Sequence, residues 1–112
     1  MKKVRVLVVD DNRRIVNLLK NALEKEMILS TGSFTASMAA PREVFYYALK
    51  HKAVSIILLH NHPSGDPSPS KDDLVLTKRM ADTGSMIGIP LLDHIVIGDN
   101  RYISLRESGY LS

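Results

Sequence analysis

At 112 residues, with 15 Lys and Arg against 12 Asp and Glu, the chain is long enough for one domain and too short for two. The net charge of +3 is scattered rather than blocked, so charge supplies no case for nucleic-acid binding. Cysteine is absent, which excludes disulfides, thiol catalysis and thiolate metal sites; any metal must be held by His, Asp or Glu.

Residues 4–9 are apolar and β-branched nearly throughout, the pattern of a strand buried on both faces. The basic start and short apolar run imitate a signal peptide, but Arg5 interrupts the run and Asp10-Asp11 end it. The run is also too short for a signal core or a membrane span, so a soluble, cytoplasmic protein is expected. Asp10, Asp11 and Asn12 can cap a helix in which Ile15, Leu18, Leu19, Ala22 and Leu23 recur at helical spacing to about Lys25. Residues 27–29 open a second strand, Thr31-Gly32-Ser33 marks a turn or bulge, and residues 34–38 read as a strand.

Pro41 suits the first position of a helix carrying Val44, Phe45, Ala48 and Leu49. Residues 54–59 form the most strongly apolar strand of the chain. A long helix begins at Ser70 and runs towards Met86, with Gly84 and Gly88 marking its decay. Residues 91–97 and 101–105 read as two strands joined in a hairpin through Gly98-Asp99-Asn100. Strands alternating with helices, closed by a hairpin, predict an α/β fold: a mixed β-sheet flanked by helices in one domain over residues 1–112.

The segment with the most chemistry is His60-Asn61-His62-Pro63-Ser64-Gly65-Asp66-Pro67-Ser68-Pro69-Ser70-Lys71-Asp72-Asp73. His60 and His62 project from one side of an extended backbone. Three prolines restrict the loop and lower the entropy lost on ordering it. Asp73, one helical turn beyond Ser70, can complete three protein ligands to a zinc ion, leaving a fourth place for water. Ser70-x-x-Asp73 is equally a capping box, and on those two residues alone capping is the simpler account. The cap and the metal role are compatible, because the cap fixes the helix that presents Asp73.

His60-x-His62, seven residues, then Ser70-x-x-Asp73 resembles the JAMM motif of the MPN metalloprotease-like family. Pro41-Arg42-Glu43-Val44-Phe45, His60-Asn61-His62-Pro63-Ser64-Gly65 and Leu91-Leu92-Asp93-His94-Ile95-Val96-Ile97-Gly98 resemble its RadC branch, over roughly three quarters of the chain from Met27 onward. The resemblance implies a cytidine-deaminase-like sheet, zinc held by His60, His62 and Asp73, and Ser70 as the catalytic serine stabilising an oxyanion. It implies zinc-assisted hydrolysis of an amide or isopeptide bond in a peptide or protein substrate. The DNA-repair label carried by RadC proteins has no independent support in these residues.

Two features depart from that pattern. The family's general acid/base is a glutamate near the start of an upstream strand; alignment puts that position at or near Lys2, and no Glu precedes Glu24. In place of a hairpin between the first two strands the chain carries a helix of roughly 13 residues, on the order of 20 Å long. Such a crossover returns the chain parallel to its first strand. Residues 1–26 resemble the first strand and helix of a response-regulator receiver domain, although His60 stands where a receiver's phosphoacceptor aspartate would follow the central strand. With the first strand parallel to residues 54–59, Asp10 or Asp11 would share an edge with His60 as a surrogate base or extra ligand; capping the following helix is the simpler role.

The leading expectation is a zinc-binding domain of metallohydrolase type whose general base is missing by alignment. The alternatives are a catalytically inactive MPN-like scaffold and a chimera of receiver and RadC fragments. Asp93-His94 carries no assigned role, since adjacent strand residues face opposite ways. His51 reads as a helix-end residue, and Tyr46 and Tyr47 as core and surface. Lys2, Lys3, Arg5, Arg13 and Arg14 read as a solvated basic face.

Overall fold

A computed structural model describes residues 6–9, 27–30 and 40–111. Within them the strands β1 (Val6–Val9), β2 (Met27–Ser30), β3 (Ser55–Asn61), β4 (Leu91–Ile97) and β5 (Tyr102–Ser104) form one sheet in the order β2-β1-β3-β4-β5. Helix α1 (Pro41–Lys50) precedes β3, and α2 (Lys71–Ile87) connects β3 to β4. The first four strands run parallel and β5 pairs antiparallel with β4, so the sheet is mixed, as expected. β1 lies parallel to both β2 and β3, the polarity that a crossover after Val9 implies. That crossover helix, the strand expected at 34–38, and Lys2, Asp10 and Asp11 lie outside the described residues.

β3 is central, with β1 on one side and β4 on the other, and its sequence fits that place. Ile56, Leu58 and Leu59 are buried, covering both faces of the pleat. Val54, expected to open the strand, precedes it and is half exposed. The hairpin turn is tight: Gly98 N–H donates to Arg101 O at 2.9 Å, and Asn100 takes a left-handed φ of 51°.

α1 starts at Pro41, whose missing N–H would be unpaired in a first turn anyway. Val44, Phe45 and Ala48 form its buried stripe. Leu49 falls outside that stripe and is 61% exposed, and both Tyr46 and Tyr47 face solvent, so neither supplies core. His51 is the C-cap residue. α2 buries Asp73, Leu76, Thr77, Met80 and Gly84, a single stripe at helical spacing. Its apolar part joins Val44, Phe45, Ala48, Ile56 and Leu58 in one core. Its first member is a carboxylate, so the packing that seats the helix also drives Asp73 against the sheet.

Gly84 sits where α2 meets the chain returning to β4. A Cβ there would stand 2.3 Å from Ile89 O and 3.3 Å from Phe45 Cζ. Alanine would gain about 1 kcal/mol of helix propensity, but the carbonyl is main chain and accepts no such approach. Gly84→Ala is therefore expected to destabilise the domain by about 1–2 kcal/mol net, read from the midpoint of urea denaturation. A midpoint equal to or above wild type would show that the α2–β4 corner gives way freely.

Candidate metal centre

His60 is the penultimate residue of β3 and His62 lies just beyond the strand, where its N–H donates to Ile97 O of β4 at 2.8 Å. The loop that follows is tied to the β4–β5 turn. Asp99 N–H donates to Gly65 O at 2.8 Å, and a Cβ on Gly98 would lie 2.2 Å from that same oxygen. Only glycine at 98 allows the turn to press on the loop so closely. Ser68 N–H donates to Asp66 Oδ1 at 2.9 Å, closing a local turn and holding the Asp66 carboxyl below its ordinary range. Loop and turn thus brace the backbone that carries His62.

α2 begins with the capping box expected from Ser70-x-x-Asp73. Ser70 Oγ accepts from Asp73 N–H at 3.1 Å, and Asp73 Oδ2 accepts from Ser70 N–H at 2.7 Å. The Asp73 carboxylate also meets both histidines: His60 Nδ1 at 2.7 Å from Oδ1 and His62 Nε2 at 2.9 Å from Oδ2. Asp73 is fully buried, and both imidazoles are 14% exposed. Burial pushes the Asp73 carboxyl up, but the bonds from His60 and Ser70 outweigh it and hold the group well below the usual carboxylate range. The residue is ionised. His60, His62, Ser70 and Asp73, read from the sequence as one constellation, are brought together at the C-terminal end of the central strand.

The donor chemistry suits a divalent cation. His62 Nδ1 lies 2.9 Å from Asp66 O, which can only accept, so that nitrogen carries a proton. The Nε2 of a neutral His62 would then direct a lone pair at the Asp73 carboxylate. A positive species, either a proton on Nε2 or a metal ion, is needed between them.

His94 is the residue that sequence reasoning passed over. It lies on β4 in register with Leu58, on the face under α2, and is fully buried. Its Nδ1 meets Thr77 Oγ1 at 2.6 Å, and its ring stacks 6.3 Å from that of His60 at 28°. Burial pushes its imidazole down to about 4, so it is neutral at neutral pH. Donor atoms of His60, Asp73 and His94 all lie within 4.8 Å of one another. The signal in the sequence was a histidine on the inward face of a strand, alternating with Val96. Asp93 faces the other way, as expected, and has a structural task. It accepts from His94 N–H at 2.7 Å, from Arg106 N–H at 3.1 Å and from the Ser104 hydroxyl, tying β4 to β5.

The α/β fold, with a mixed sheet and flanking helices, is consistent with a JAB/MPN-type domain. The family model of the RadC-like JAB domain matches residues 3–110, and the chain belongs to that family. The match begins at residue 3, so it takes in the opening segment that resembles a receiver. A UPF0758 protein of Methanococcoides burtonii is 50% identical over 93 residues, covering 83% of this chain and 41% of that protein. A UPF0758 protein of Listeria monocytogenes is 54% identical over 91 residues, 81% of this chain and 41% of its own length. One from a Geobacillus species is 52% identical over 92 residues, with 82% and 41% covered. The chain therefore spans about two fifths of the length of these curated relatives. Among the described residues, no helix is long and apolar enough to cross a membrane.

Proposed function

We propose that this domain binds zinc through His60, His62 and Asp73, as a metallohydrolase-type centre acting on an amide or isopeptide bond of a peptide or protein. The observation that carries the reading is the convergence of two imidazoles on the two oxygens of one buried, ionised carboxylate. Zinc in such a set supplies Lewis acidity and lowers the pKa of a bound water to about 7. The chain's own part is to hold and orient. The capping box fixes Asp73, and the braced loop fixes His62. Ser70 uses its oxygen, not its hydrogen, in the cap, so its O–H is left to donate to charge developing on a substrate carbonyl.

One feature favours a second reading, a zinc-binding module without hydrolysis. The position that should supply a general-base glutamate aligns with Lys2, and a charged lysine takes no proton. Asp10 and Asp11 remain the proposed surrogates.

Zinc content of the purified protein, by elemental analysis, tests both readings at their common root. About one equivalent per chain is expected, falling to background in His60→Ala. Wild type that stays empty after zinc addition would end both. With zinc present, cleavage of a peptide or isopeptide substrate selects the enzyme, and its absence selects the module.

A further inference from the structure

His94 is fully buried, and among the described residues its Nε2 has no hydrogen-bond partner. Leaving a buried polar atom unpaired costs about 1–3 kcal/mol, and here it happens beside an anionic carboxylate and a second imidazole. The neighbours decide which tautomer the ring adopts. Thr77 Oγ1 lies 2.7 Å from Asp73 O, which can only accept, so the hydroxyl spends its one hydrogen there. The Thr77 oxygen therefore receives His94 Nδ1–H, and the proton of the neutral ring sits on Nδ1. Nε2 is left with a bare lone pair. An imidazole held by one N–H while the other nitrogen is bare is the arrangement seen at metal-ligating histidines.

Resting on the proposal that this is a metal centre, we infer that His94 is itself a metal ligand. With His60 and Asp73 it forms an inner seat for a divalent cation, behind the outer seat of His60, His62 and Asp73. The seats share two donors and differ in the third. Donors in a tetrahedral zinc set stand about 3.4 Å apart, so closing the inner seat from a spread of up to 4.8 Å needs a contraction of up to about 1.4 Å. The donors' surroundings differ as well. Asp73 and His94 are wholly buried, whereas His62 belongs to a partly exposed loop. An ion in the inner seat is screened from substrate, and His62 keeps its contact with Asp66. Occupancy of one seat or the other then sets whether the centre is structural or open to solvent.

Cadmium-113 bound to 15N-labelled protein reports ligands directly, through one-bond coupling between the metal and each ligating nitrogen. Coupling to His94 Nε2 is expected, in wild type or in His62→Ala. His62→Ala is further expected to keep about one equivalent of cadmium with affinity reduced roughly 10–100-fold, and His62→Ala/His94→Gln to lose it. Couplings confined to His60 and His62, with His62→Ala empty, would overturn the inner seat and leave the outer one standing. Wild type that binds no cadmium would instead sink the metal centre itself. The wild-type spectrum needs no substitution in the core, so the test survives a variant that fails to fold.

Discussion

Asp73→Asn is expected to reduce zinc affinity by well over the 10–100-fold that follows loss of an outer-sphere partner. Its carboxylate contacts both His60 and His62, and it belongs to either seat. Asparagine keeps a carbonyl oxygen to accept from Ser70 N–H, so much of the cap persists, but its amide lacks the charge that a divalent ion requires. Ser70→Ala gives the opposite result: about 1 kcal/mol of stability lost with the helix cap, and zinc still bound. The pair separates two tasks that the sequence superimposes on Ser70-x-x-Asp73. Competition against a chromophoric chelator gives the affinities, and urea denaturation gives the stabilities. Zinc bound equally well by Asp73→Asn would mean that the carboxylate is a cap and nothing more.

The site was legible in the sequence where its parts are close along the chain. His60-x-His62 sits at the end of an apolar strand, and Ser70-x-x-Asp73 opens a helix, so periodicity alone put both on adjoining elements. Pro41 and the Val44, Phe45, Ala48 stripe likewise gave α1 its start and its inner face. His94 was not legible, because its part depends on a partner 17 residues away in sequence. Nothing local shows that β4 lies beside β3 with His94 opposite Leu58, or that Thr77 descends on it from α2. Leu49 shows the reverse failure, an apolar residue at a plausible position that packing leaves outside. That β2 runs parallel to β1 was inferred from connection length, a physical constraint that acts over distance.

In metal-free protein, His94 is expected to make stability fall as pH drops from about 6.5 towards 4. Burial lowers its folded value to about 4 from an ordinary 6.5. Between those values the unfolded chain binds a proton that the folded one refuses, so stability rises with pH across the window and is complete above it. At about 1.4 kcal/mol per unit, full acidification through the window removes up to about 3 kcal/mol. Asp73 adds to the loss only at lower pH. Its folded value is depressed, so its contribution is present above its unfolded value of 3.8 and disappears on further acidification. His94→Gln removes the upper window while leaving His60 and His62 in place. Between pH 7.5 and 4.5 in chelator, the urea midpoint of wild type should fall further than that of the variant, whichever is the more stable at pH 7.5. Curves that stay parallel through that range would show that His94 exchanges its proton freely. It would then not be the sealed, neutral imidazole that its place beneath α2 makes it.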